Sequence, residues 1–292
     1  MKKHLYLNES LLKIFGIVFM TFDHIGAYII SSGVAPDNSP LYWTAYVFRI
    51  IGRLALPLFL FFLAEGMRKT HDRVNYLLRL ALIWAPILIV DLILYYLSPS
   101  LSQAQAFTDL LVCGLFVFFL EKKGWMKALA AIPAIYVGLS FAANTYEMVT
   151  QTATWTVYFP LFLRADYSLY GFLIFLGFYY AYSIIDKWLK GNVLLGEKTL
   201  EEYKETPDYR WTVNIFNFTI FVVINVIFWA IYRFLPAADY LNMGIQTYSI
   251  LAGLFLLFYN GKRGYDKKWF RYFTYLYYPV HIALIALIFW LI

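Results

Sequence analysis

The 292-residue chain is 62% hydrophobic and 21% aromatic, has only 14% charged residues, and has a mean hydropathy of +0.62. A soluble domain carries about 25% charged residues, so this composition excludes a water-soluble monomer. The net charge of +6 is spread over short segments with no separate basic domain, which argues against nucleic-acid binding.

Repeated apolar runs near 20 residues match a hydrocarbon core of about 30 Å at 1.5 Å rise per residue. They predict an all-α, polytopic transmembrane bundle, one domain over 1–292. About nine spans are expected: 12–31, 46–66, 76–97, 104–120, 126–143, 167–186, 213–234, 243–259 and 271–292. The opening "MKKHLYLNESLLKIFGIVFM" has a basic start like a signal peptide, but no small-residue cleavage site closes the run, so it reads as a retained first helix. With the N-terminus inside, cytoplasmic segments collect 19 of the 24 Lys and Arg, Lys2, Lys3 and Lys198 among them; the outer loops keep Arg164 and Arg233. That asymmetry predicts an N-in, C-out topology. The loop 148–167 reads as outer and interfacial, and 187–210 as a cytoplasmic loop with a short amphipathic helix. The lone Cys113, inside an apolar run, excludes an internal disulfide and a cysteine-rich metal site and reads as a small buried filler.

Ionisable residues within spans are costly and so are functional candidates. They are Asp23, His24, Arg49, Arg53, Glu65, Arg79, Asp91, Asp109 and His281. At helical rise His24 lies about 18 Å above the inner end of the first span, and Arg53 about 10 Å below the outer end of the second. The two depths agree, which points to one polar chamber in the outer half of the membrane. Two readings compete there. In one, Asp23 and Arg53 are an interhelical ion pair that locks the bundle. In the other, His24 is a general base, suited by its near-neutral titration, and the arginines hold an anionic group. Pro57 is expected to kink the second span and free a carbonyl near the chamber. Glu65 is expected to pair with a nearby cation, and Gly66 to terminate the helix. A second cluster is the loop "YNGKRG", Tyr259 to Gly264. Its Asn260, Gly261 and Gly264 permit a tight turn with exposed amides, and Lys262 and Arg263 add charge that suits phosphate; alone, such a loop is ordinarily a topology feature.

The strings "LLKIFGIVFMTFDHIG", "FRIIGRLALPLFLFFLAEGMRKT" with "YLLRL" after it, "DYSLYGFLIF", "QTYSILAGLFLLFYNGKRG" and "FTYLYYPVH" occur in order over residues 11 to 281. Together they resemble the TraX family, membrane proteins associated with N-terminal acetylation of conjugative pilin, and more distantly the transmembrane acyltransferases that O-acetylate sugars and cell-surface polymers. About 90–165 and 187–212 carry no clear match. The resemblance implies a multi-pass protein of the bacterial cytoplasmic membrane. It implies transfer of an acyl group, with acetyl the first expectation, from cytoplasmic acetyl-CoA as co-substrate, with no metal. The acceptor would be a peptide N-terminus, a sugar or a cell-surface polymer reached from the outer side.

On that resemblance His24, Asp23, Arg53 and His281 are the expected catalytic residues. His24 deprotonates the acceptor with Asp23 or another carboxylate orienting it, Arg53 stabilises the oxyanion, and His281 is an alternative base or acyl carrier. The expected acyl-CoA contacts are Arg49, Arg68, Lys69 and the loop Tyr259, Asn260, Gly261, Lys262, Arg263 and Gly264, with Glu65 and Pro57 in support. A transporter or flippase with a polar intramembrane chamber is the competing reading, though no inverted repeat of broken helices supports it. A structural subunit is the third.

Overall fold

The computed structural model describes residues 6–97, 105–191 and 199–291. Lys2, Lys3 and Lys198 lie outside them. Among the described residues there is no β-strand, only isolated bridges such as Leu7 with Tyr259.

Local chemistry sets the helix starts. α1 (Glu9–Ser31) begins where the Asn8 side chain accepts from the Leu11 amide, with acidic Glu9 in the first turn at the positive end of the dipole. α2 (Pro40–Gly52) begins under a Ser39 cap, with proline at the first position, where its missing N–H costs nothing. α3 (Ala55–Lys69), α4 (Arg73–Leu97), α5 (Ala106–Leu120) and α6 (Ala131–Thr150) follow, the last led in by a 3-10 run over Gly124–Ala130. Then come α7 (Ser168–Lys190), α8 (Leu200–Lys204), α9 (Pro207–Phe234), α10 (Met243–Gln246), α11 (Leu251–Leu257) and α12 (Lys268–Leu291).

Among the described residues, six helical runs are long and apolar enough to cross a membrane: Glu9–Ser31, Pro40–Lys69, Arg73–Ile93, Gly124–Thr150, Ser168–Lys190 and Pro207–Phe234. The chain is therefore a multi-pass helical membrane protein. Two of the expected spans come out shorter, as Ala106–Leu120 and Met243–Leu257, below the roughly 20 residues a straight crossing needs. The last expected span is α12, 24 residues with Pro279 inside it.

The chain divides into two compact units, Met1–Phe62 with Gly177–Val226 and Ile245–Ile292, and Leu63–Leu176 with Ile227–Gly244. In the first, Phe61 packs edge-on against Phe178 and Tyr259, with ring centroids 5.6 and 5.2 Å apart, and Phe178 continues to Phe221. Here α8 is closed by a Thr199–Glu202 capping box, and its Leu200 and Tyr203 pack against Tyr182, Ile185 and Tyr209.

In the second unit the loop 148–167 folds around Arg164, which is fully buried. Its guanidinium donates to Glu147 Oε2 at 2.6 Å, Asn144 Oδ1 at 3.1 Å and the Phe159 carbonyl at 2.8 Å. This cation, counted by topology as a loop charge, pins the loop to α6. Gly66 corrects an expectation. α3 runs through it to Lys69, and the glycine is there because Tyr76 of α4 occupies the space a Cβ would need. Cys113 is buried, 1% exposed.

Candidate functional site: an arginine-clasped aspartate beside a histidine pair

The site lies in the first unit, where α1 meets α2 and α12. Pro57 has no N–H for the Arg53 carbonyl, and its ring meets that carbonyl. The helical run therefore breaks at Arg53–Leu54, and α3 restarts at Ala55. Arg53, at the break, turns its guanidinium onto Asp23: Nη2 donates to Oδ1 at 2.6 Å and to Oδ2 at 2.8 Å. Arg49, one turn earlier on α2, donates from Nη1 to Oδ2 at 2.7 Å. Gly52 makes this approach possible, because a Cβ there would overlap the Asp23 side chain; at Gly26 it would lie 2.5 Å from the Ala45 carbonyl. Close backbone approach through small residues is how membrane helices bring polar groups together. The Asp23, Arg49 and Arg53 side chains are 15%, 27% and 10% exposed. One carboxylate against two guanidiniums leaves a net charge of +1. Gln246 adds a neutral contact, its Oε1 accepting from Arg53 Nη1 at 3.4 Å.

His24 turns away from its neighbour Asp23, as adjacent helical residues must. Its Nδ1 lies 2.7 Å from Nε2 of His281 on α12, and His281 Nδ1 lies 2.8 Å from the Tyr277 carbonyl. A carbonyl can only accept, so His281 Nδ1 carries its proton and, in neutral His281, Nε2 is the bare nitrogen. His24 Nδ1 must then donate, which makes Nε2 the basic nitrogen of His24. Nε2 has no hydrogen-bond partner among the described residues. The rings of Tyr277 and His281 stack 4.9 Å apart, and Tyr277 is anchored to Thr21 of α1 through hydroxyls 2.7 Å apart. The orienting partner of His24 is thus an imidazole; the expected carboxylate, Asp23, is held by arginines.

The loop between α11 and α12 forms a different structure from the expected amide cradle. Gly261 and Gly264 have φ of 78° and 71°, which glycine adopts freely. The loop turns carbonyls to the start of α1: Lys262 O accepts from Glu9 N at 2.9 Å and Arg263 O from Ser10 N at 3.1 Å. The Lys262 amide is taken by Asn260 Oδ1 at 2.9 Å. Tyr259 is fully buried, whereas Lys262 and Arg263 are exposed, and Arg263 pairs with Asp266 at 3.2 Å. Arg210 of α9 lies beneath Gly261, where a Cβ would come within 2.6 Å of its guanidinium. It also donates to the Tyr182 hydroxyl and lies over the Tyr182 and Tyr259 rings.

The remaining expected residues make other contacts. Arg49, expected at the acyl-CoA contacts, sits on Asp23; from Ser10, beside the loop, α1 climbs about 20 Å to Asp23. Arg68 and Lys69 belong to the second unit and clasp Glu65, at 3.1 and 2.5 Å. Asp91 and Asp109 are also in that unit, Asp109 accepting from the Tyr167 amide at 3.1 Å, and Arg79 is exposed on α4. Within the first unit, Asp23, His24, Arg49, Arg53 and His281 come together where α1 meets α2 and α12. Sequence reasoning passed over Gln246, Thr21, Tyr277 and Arg210. Tyr277 alone carried a signal, one helical turn before His281.

Comparison with known proteins finds likeness over nearly the whole chain. A probable fimbrial assembly protein FimC, serogroup H1, of Dichelobacter nodosus is 27% identical over 288 residues, covering 98% of this chain and 97% of the relative. No solved structure gives a significant match. The family model described as TraX protein matches residues 8–289, nearly the whole chain, and the chain belongs to that family.

Proposed function

We propose that this protein is a membrane-embedded acyltransferase that moves an acyl group, acetyl in the simplest case, from cytoplasmic acyl-CoA to an amine or hydroxyl. The observation that carries the reading is the histidine pair: the Tyr277 carbonyl fixes His281, His281 fixes His24, and the basic nitrogen of His24 is left over beside a +1 arginine cluster. His24 Nε2 takes the proton of the acceptor N–H or O–H as that atom bonds to the thioester carbonyl carbon. The resulting oxyanion gains from the excess guanidinium charge of Arg49 and Arg53. Collapse breaks the C–S bond, and the proton on His24 passes to the leaving CoA thiolate.

Exposed Lys262 and Arg263, with Arg210 beneath the loop, supply positive charge for CoA phosphates. The bilayer is the bacterial cytoplasmic membrane and the N-terminus is inside, so the donor comes from the loop side and the acceptor from the other. The fimbrial-assembly name of the relative favours a pilin-like peptide N-terminus as the first acceptor to try, ahead of sugars or surface polymers.

The test is release of CoA thiol from acetyl-CoA by the purified protein in proteoliposomes supplied with such a peptide. His24→Ala should lower turnover by about 10²–10⁴-fold, the usual share of a general base, with CoA binding retained. A Lys262→Ala, Arg263→Ala double variant should weaken CoA binding. Full turnover in a folded His24→Ala protein refutes the assignment of the base.

A further inference from the structure

One buried group has no role in the chemistry above. Asn217 of α9 is 1% exposed, yet neither Nδ2 nor Oδ1 has a hydrogen-bond partner among the described residues. The Asn214 side chain, one turn earlier, donates to the Leu257 and Tyr259 carbonyls at 3.0 and 2.8 Å, while its Oδ1 is also buried without a partner. A buried, unsatisfied amide is expensive, and hydrophobic residues of similar size are available to any sequence.

In the first unit a polar seam runs between α9 and the segment 245–259. At one end Arg53 meets Gln246, at 3.4 Å. Ser249 then donates to Asn225 at 3.2 Å, with both residues fully buried. Asn217 follows. Asn214 closes the seam at the Tyr259 carbonyl, where the Tyr259–Gly264 loop begins. From Asn225 to Asn214 the helix covers about 16 Å. The facing segment is no regular helix: a four-residue α10, a 3-10 turn over Thr247–Ile250 and a seven-residue α11. Interrupted backbone at membrane depth is tolerated where it is buried in protein or lines a cavity. Short turns of this kind are also the elements that open at least cost.

We infer that Asn217, with the Asn214 carbonyl oxygen one turn away, is the binding site for an amide-bearing ligand arm that enters this seam from the Tyr259–Gly264 loop. A carboxamide that lacks both a donor and an acceptor partner matches a ligand that offers a carbonyl and an N–H. On the acyl-CoA reading, on which this assignment rests, the arm is pantetheine, whose two amides lie between the phosphates and the thioester. Phosphates at the loop and the thioester near His24 then mark the two ends of one path, about 21 Å along α1 from Ser10 to His24.

The experiment is calorimetric titration of the purified full chain with CoA and with adenosine 3′,5′-bisphosphate, which has the phosphates and no pantetheine arm. Wild type is compared with Asn217→Leu and Asn217→Ser. The expected result is CoA binding weakened about tenfold in both variants, bisphosphate binding unchanged, and a melting temperature of Asn217→Leu equal to or above wild type. Equal effects on both ligands, or on neither, would overturn the inference and leave the acyl-CoA reading standing; Asn217 would then hold a buried water only. Absence of CoA binding in folded wild type would remove the acyl-CoA reading and the seam assignment with it.

Discussion

Asp23 is the residue on which the most depends, because it is one anion between two cations. Replacing one partner of a buried ion pair leaves an uncompensated charge and costs about 3–5 kcal/mol. The cost should follow the charge count. Asp23→Asn leaves two guanidiniums facing each other without an anion. Arg49→Met leaves a balanced Asp23–Arg53 pair, already joined through both carboxylate oxygens. Asp23→Asn should therefore lower the melting temperature in detergent well below that of Arg49→Met; the reverse order would show that the cluster is not held by charge balance. His281 makes a different claim. His281→Phe keeps a flat ring beside Tyr277 but gives His24 Nδ1 no acceptor. Turnover should fall at least about tenfold with little change in the KM for acetyl-CoA, and the pH profile should shift, since His24 then chooses its own tautomer. Restoration by His281→Gln, whose carbonyl can accept, would separate positioning from packing. If His281→Phe retained wild-type turnover and pH profile, the histidine pair would have no part in the chemistry.

Elements explain how far the sequence could be read. Helices and their apolar runs were legible because membrane burial writes a long, simple pattern. Pro57 announced an interruption in the second span for a covalent reason, the missing N–H, and the break lies at Arg53–Leu54. Tertiary partners were not legible in the same way. His24 and His281 are 257 positions apart, and no local spacing joins them. A search for charge also passes over Gln246 and Asn217, neutral amides whose importance comes only from burial. Gly66 misled because a glycine near a helix end normally marks a stop, whereas here it makes room for Tyr76. The same steric logic predicts the outcome at Gly52, where an added methyl meets Asp23. Gly52→Ala should force α1 and α2 apart and cost about 1–3 kcal/mol, as overpacking does. Gly138 of α6 is a control, with no atom within 4 Å of a Cβ. Gly138→Ala should be neutral or stabilising by up to about 1 kcal/mol. Equal effects at the two sites in thermal melts would mean that α1 and α2 do not meet closely at Gly52.

At the scale of the whole molecule, the proposed reaction needs two sides: phosphates held at the Tyr259–Gly264 loop and an acceptor arriving from the opposite face. One helix is enough to measure the separation. α1 is tied at its start to that loop, through Glu9 and Ser10, and ends at Ser31. Its 23 residues span about 34 Å, more than the hydrocarbon thickness of about 30 Å. Lys262 and Val34, both in the first unit, should therefore lie on opposite sides of the bilayer, with Lys262 on the cytoplasmic side if the Lys and Arg asymmetry sets the orientation. The chain's single cysteine makes the test clean: Cys113 is 1% exposed, and Cys113→Ser removes the remaining background. In that background Val34→Cys, at a position 47% exposed, should react with a membrane-impermeant maleimide in intact cells. Lys262→Cys should react only after the membrane is opened. The reversed pattern would place the basic loop outside, away from cytoplasmic acyl-CoA, and the donor path would have to be abandoned. Labelling of both from one side would mean that α1 does not cross the membrane, and the chamber built on Asp23 and His24 would then lie at the surface.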